Sequence, residues 1–294
     1  VSGDVRHGLT LPGLTSPNGN RTFAYDQAGR IATETGPNGA ITYTYDQASQ
    51  LTRSASGESD VADIGWDGLG RRTSETGSDG STRAYNYGPT GRLDTITTSR
   101  ADGSTTNWTL THDPLGRLAG IDQSALGWDP TEPIDTLRTI GDTRLLRVDT
   151  PLGAAGPVTT DVVVRSDHRG TANPADPYGS GPSTNRIPGI AALAIGHTGG
   201  LAIDDQVWLG ERLYDPASRA FTTPDPLPGV PGQTTVANPY HYNASDPFNQ
   251  ADPTGRRPIT DIELAHIRSG PAANTSGRYG GTTIATQPIW EDQP

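Results

Sequence analysis

Residues 25–54 read YDQAGRIATETGPNGAITYTYDQASQLTRS, and the tetrapeptide Tyr-Asp-Gln-Ala opens at Tyr25 and again at Tyr45. The surroundings repeat as well. Gly29, Arg30 and Ile31 follow the first copy, and Ser49, Gln50 and Leu51 follow the second. The frame returns at Trp66, Tyr87 and His112, with steps of 20, 21, 21 and 25 residues. The shared frame is an aromatic residue, usually Asp or Gly, two variable residues, Gly-Arg and then an aliphatic residue. A fixed period of this length is the mark of a repeat architecture. Pro37-Asn38-Gly39, Ser78-Asp79-Gly80 and Ala101-Asp102-Gly103 supply a second turn inside three units. Asn-Gly and Asp-Gly accept the positive φ that tight turns demand. Each unit therefore reads turn, strand, turn, strand.

The strand segments alternate with period two. Ile41, Tyr43 and Tyr45 share one face, and Thr42 and Thr44 share the other. That pattern, rich in Thr and Tyr, belongs to a half-buried strand rather than a helix. One hairpin is marginal in water, so successive hairpins are expected to pair into a continuous sheet. The fold class predicted is all-β, a spiral of antiparallel hairpins. The recurring Arg30, Arg71, Arg92 and Arg117 are expected to bond adjacent hairpins, because a repeated cation in a sheet needs a repeated partner.

Composition excludes several function classes. Leu, Ile, Val and Phe make up 50 of 294 residues, a low apolar content. The net charge of −11 is modest, and the regular turn-strand period argues against disorder. An acidic chain with scattered arginines is not a nucleic-acid surface. There is no cysteine, which removes disulfides and thiolate metal sites. No apolar run is long enough to cross a membrane as a helix, and Val1 opens without a signal-like segment. The six histidines, His7, His112, His168, His197, His241 and His266, show no metal-ligand spacing and read as structural or solvent-facing. No cofactor motif and no metal site are identified.

Past residue 122 the period fades, and closely spaced Asp-Pro and Asn-Pro steps take over. The quoted repeats resemble YD repeats. The segments SDHRGT, DPYG, IGHTGGLAIDDQVWLGERLYDPASRAFTTPDPL and NPYHYNASDPFNQADPTG resemble, in that order, the core domain associated with RHS repeats. The resemblance divides the chain into YD repeats (1–122), an RHS core domain (123–255) and a tail or start of a payload (256–294). It implies that the hairpins form part of a hollow shell and that the core plugs one end. The implied function is the C-terminal part of a secreted or cell-surface bacterial shell that carries a C-terminal toxin. The implied partners are the chain's own toxin segment, and secretion machinery or a cell-surface target. The alternative is a non-enzymatic YD-repeat protein for adhesion or carbohydrate contact.

The resemblance also implies a chemistry, since in many bacterial members the core is an aspartic protease that releases the toxin from the shell polypeptide. The matching positions are Asp225 and Asp252, with the cut expected between Arg256 and Arg257. Two carboxylates held close cannot both ionise cheaply, so one can activate water while the other protonates the scissile amide. Asp before Pro also sets ordinary turns, as at Asp176, Asp215 and Asp246, and only place in the core motif distinguishes the two. DPLPG carries an extra residue, and Arg256 stands where the family has Leu. Enzymatic activity, if present, is self-cleavage with no external substrate. Near the end, Thr260, Glu263 and the stop at Gly270-Pro271 predict a short helix over 261–268.

Overall fold

The turns form as the repeat frame requires. Asp26 Oδ1 accepts the backbone N–H groups of Ala28 and Arg30, both at 2.9 Å, and Gly29 N–H donates to the Asp26 carbonyl at 3.0 Å. An aspartate that caps its own turn in this way closes the loop before the strand begins. The same carboxylate bonds recur at Asp46, Asp67 and Asp113. The fifth residue of the frame takes positive φ: +77° at Gly29 and Gly70, +79° at Gly91 and +97° at Gly116. Ser49 adopts φ +65° at the equivalent place. The mid-unit turns at Asp79 and Asp102 are present, each capping the N–H two residues on at 2.8 Å. The turn expected at Asn38 lies outside the described residues.

The computed structural model describes residues 22–36, 39–56, 60–129, 136–148, 162–165, 178, 185–186, 193–195, 200–227, 238–243, 250–256 and 259–260. Strands β1 (Thr22–Tyr25), β2 (Ile31–Gly36), β3 (Gly39–Tyr45), β4 (Leu51–Ser56), β5 (Asp60–Trp66), β6 (Arg72–Gly77) and β7 (Thr82–Tyr87) begin the main sheet. It continues through β8 (Leu93–Ser99), β9 (Thr105–His112), β10 (Leu118–Ile121), β11 (Ser124–Asp129), β12 (Thr136–Ile140), β13 (Thr143–Val148) and β14 (Val162–Arg165). These 14 strands pair in chain order, antiparallel throughout except for the parallel β13–β14 pair. A second sheet has six strands in chain order: β15 (Asn185–Arg186), β16 (Leu193–Ile195), β17 (Leu201–Ile203), β18 (Gln206–Leu209), β19 (Arg212–Asp215) and β20 (Ala220–Phe221). Strands β21 (Gln250–Ala251) and β22 (Ile259–Thr260) pair alone. No α-helix occurs among the described residues, and the helix expected over 261–268 lies outside them.

The register slips by one residue just before each frame aromatic, at Tyr25, Tyr45, Trp66 and Tyr87. Past each of the last three slips the aromatic reaches back one repeat. Tyr45 Oη donates to the Ile31 carbonyl at 2.9 Å, Trp66 Nε1 to Leu51 at 2.8 Å and Tyr87 Oη to Arg72 at 2.9 Å. The arginines complete this ladder in two units. Arg30 and Arg71 bridge Asp26 and Asp67 of their own turns, at 2.6 Å each, and their guanidinium groups lie over Tyr45 and Tyr87 of the next unit. Arg117 keeps the turn bond to Asp113, and Arg92 departs from the pattern.

One face of the main sheet carries the core. Phe23, Ile31, Tyr43, Leu51 and Ile64 pack with Val207, Leu209, Tyr214, Phe221 and Tyr242. A second cluster joins Tyr85, Leu93, Ile96, Trp108 and Leu118 to Leu201, Ile203, Trp208 and Leu213. The second sheet therefore packs on this core-bearing face of the repeats. Ion pairs share the interior with these side chains. Arg72, fully buried on β6, binds Asp215 at 2.6 Å and Glu75 at 2.7 Å. Buried Arg219 binds Glu34 of β2 at 2.8 Å.

Candidate functional site

Leu209 ends β18, and the chain turns through Gly210 and Glu211 into Arg212, the first residue of β19. Gly210 takes φ +54°, and its α-carbon meets the backbone of Thr254 with no room for a Cβ. Gly255, at φ +67°, meets the Leu209 carbonyl in the same way. The turn at 210–211 and the turn at 252–256 thus interlock, with Glu211 N–H on the Thr254 carbonyl at 3.2 Å.

Arg212 is the hub of this junction, with only 3% of its side chain exposed. Its Nε donates to the Gly255 carbonyl and its Nη1 to the Pro239 carbonyl at 3.3 Å. Nη2 meets Asp225 Oδ2 at 3.1 Å and Asp252 Oδ2 at 3.5 Å. The guanidinium rests on the Phe221 ring at 3.6 Å. Asp225 and Asp252 are 27 residues apart in sequence, and the fold brings both onto one nitrogen. Pairing of residues 238–241 with 220–225 shortens the distance. Phe221 N–H bonds the Tyr240 carbonyl and Asp225 N–H bonds the Pro239 carbonyl, both at 2.9 Å.

The two carboxylates stand in different surroundings. Asp252 is buried, and Oδ1 accepts the Thr254 hydroxyl at 3.1 Å and the Arg256 N–H at 3.2 Å. Burial pushes its carboxyl above the ordinary value, outweighing Arg212 and the two hydrogen bonds, which pull the other way. Asp225 Oδ1 caps the turn at Leu227 N–H (2.8 Å), and Asp225 borders an open cavity of about 420 Å³. Burial also lowers the pKa of Arg212 against the pull of both aspartates. Burial thus disfavours the charged form of both Asp252 and Arg212.

The other sequence candidates separate clearly. Asp215 binds Arg72 and caps Ala217 N–H at 3.0 Å, so it serves the interior and its own turn. Arg256 is half-exposed, and its guanidinium pairs with Glu211. His241 is buried, its Nδ1 at 2.7 Å from the Asn238 carbonyl. Arg257, Asp176, Asp246, His7, His168, His197 and His266 lie outside the described residues. Sequence reasoning missed Arg212. The available signal was a lone arginine in the apolar run VWLGERLY.

These observations define a class: a hairpin-repeat sheet backed by a core sheet that presents two aspartates on a shared arginine. Residues 14–159 match the family described as teneurin YD-shell, a span that takes in the hairpin repeats. No curated protein matches the chain. Among solved structures, the TcdB2–TccC3–Cdc42 crystal structure is 25% identical over 37% of this chain and 6% of that one, with a TM-score of 0.30. The Tc holotoxin pore of Photorhabdus luminescens is 13% identical over 81% of this chain and 18% of that one, with a TM-score of 0.34. A porin-like protein from Bacteroides uniformis is 18% identical, covering 40% and 52% of the two chains, with a TM-score of 0.26. The chain thus spans less than a fifth of the length of the two toxin structures.

Proposed function

We propose that this chain is the C-terminal part of a secreted, toxin-carrying YD-repeat shell whose core domain cleaves its own chain after Arg256. One observation carries the reading. The two motif aspartates end on one buried arginine, and one of them accepts the backbone N–H of Arg256 itself. In this scheme Asp225, on the cavity side, takes a proton from a water that attacks the Arg256 carbonyl carbon. Asp252, whose burial favours the protonated acid, gives its proton to the leaving nitrogen of Arg257 as the C–N bond breaks. Arg212 holds the Gly255 carbonyl and keeps the segment in place. No metal or cofactor enters this chemistry.

The second reading is a passive shell, in which Arg212 merely fastens four segments together. It draws on the ion pairs, which would serve a purely structural junction equally well. Intact-mass measurement of the 294-residue chain separates the two. Self-cleavage yields fragments 1–256 and 257–294, and Asp225→Asn and Asp252→Asn each leave the chain whole. A wild-type chain that stays whole from about pH 4 to about pH 8, the range over which such a pair exchanges its proton, supports the passive shell.

A further inference from the structure

The cavity beside Asp225 is lined where the repeat ladder breaks. Arg92 occupies the frame position of Arg30 and Arg71, but both of its usual partners are replaced. Gly88 stands where those units have Asp26 and Asp67, and His112 stands where they are followed by Tyr45 and Tyr87. The Arg92 guanidinium lies over the turn at Gly116. Among the described residues it forms no hydrogen bond or ion pair, even with Asp94, whose carboxylate lies against Gly88.

The other charges on the cavity wall are matched. Arg71 is paired with Asp67, Arg212 with Asp225 and Asp252, and Glu211 with Arg256. Arg92 is the unmatched charge among the described lining residues. His112, whose ring lies 5.7 Å from that of Trp208, has a buried Nε2 with no partner. The rim is apolar. Leu69 and Leu115 line the cavity with 70% and 82% of their surface exposed. A volume of about 420 Å³ falls within the range of ligand pockets. An unpaired guanidinium beside apolar surface suits a ligand that carries a carboxylate next to an aliphatic group.

We propose that this cavity is a recognition subsite for a peptide segment in which an acidic side chain neighbours an aliphatic one. Arg92 takes the carboxylate, and Leu69 and Leu115 take the aliphatic group. The choice of a peptide rests on the reading of Asp225 and Asp252 as a peptide-cleaving pair, since Asp225 forms part of the same wall.

The test is fluorescence anisotropy with two labelled probes, acetyl-Ile-Glu-Leu-amide and acetyl-Ile-Gln-Leu-amide, titrated with the full chain. The acidic probe is expected to bind about tenfold more tightly, the scale of a charge-assisted bond relative to a neutral one. Arg92→Gln abolishes that preference, whereas Arg53→Gln, on the exposed Arg53–Asp63 pair, preserves it. Leu115→Ser weakens both probes alike, which keeps the test independent of how Arg92→Gln folds. Equal affinity for the two probes, or a preference that survives in Arg92→Gln, overturns the subsite. Cleavage is read on the same preparations. A chain that discriminates but stays whole removes the protease reading alone, and a chain that cuts without discriminating removes the subsite alone.

Discussion

Replacing Arg72 with Met removes a fully buried cation from the seam between the two sheets. Arg72 holds Asp215 at 2.6 Å, Glu75 at 2.7 Å and Ser218 at 2.8 Å. Glu75 retains Arg83 and Tyr85, so Asp215 is the group left charged and unpaired in the interior. Breaking one side of such a pair costs about 3–5 kcal/mol. With an m-value of about 3 kcal/mol/M in urea, the unfolding midpoint falls by about 1–1.7 M. Asp215→Asn keeps the turn to Ala217 and leaves Arg72 with Glu75, so its loss is smaller. In the double variant no charge is stranded, and about 1.5 kcal/mol or more of the Arg72→Met loss returns. The acid limb changes too. Burial alone raises the Asp215 pKa, but the charge of Arg72 and the bonds from Ser218 and Arg72 outweigh it and hold the carboxyl below its ordinary value. Its stabilisation is present above the ordinary carboxylate pKa of about 3.9 and is lost as pH falls through the depressed native value. Arg72→Met therefore shows a shallower loss of stability in acid. Urea melts in which the two substitutions add independently, or in which Arg72→Met matches wild type, refute the assignment of this pair as the fastener between sheets.

Asp252→Asn is expected to melt no lower than wild type at pH 7, whatever it does to the proposed self-cleavage. A carboxyl whose native pKa is raised stabilises the fold at low pH, and that contribution disappears as pH rises through the native value. Scanning calorimetry across pH should therefore show the variant gaining on wild type as pH rises, and a variant that loses ground would contradict the sign. Gly255→Ala forces a side chain to φ +67° against the Leu209 carbonyl, so it should cost at least about 1–2 kcal/mol and displace the Arg256 segment. Its melting temperature and cleavage rate should fall together; an unchanged rate would show that the interlock does not position the cut.

The hairpin sheet was legible along the chain because its determinants are local. Asp26, Gly29 and their repeats satisfy their turns with bonds spanning two to four residues, and Thr42, Tyr43 and Thr44 declare their faces by alternation. The frame also held its own exceptions in view. Arg72 occupies the aliphatic slot that Ile31, Leu51, Leu93 and Leu118 fill elsewhere, and Gly88 removes a partner from Arg92. Nothing local said where those exceptions would lead. Arg72 meets Asp215 across 143 positions, and Arg219 meets Glu34 across 185. Asp225 and Asp252 were found as motif positions, yet the cation they share lay unnoticed in β19. A buried charge is tolerable only where distant segments converge on it, because its desolvation must be met by several partners at once. Turn and strand chemistry is written residue by residue, whereas the site depends on that convergence. For Arg72 and Arg219 the packing of the second sheet against the repeats decided it, and for Arg212 the return of residues 238–241 and 252–255 onto β19.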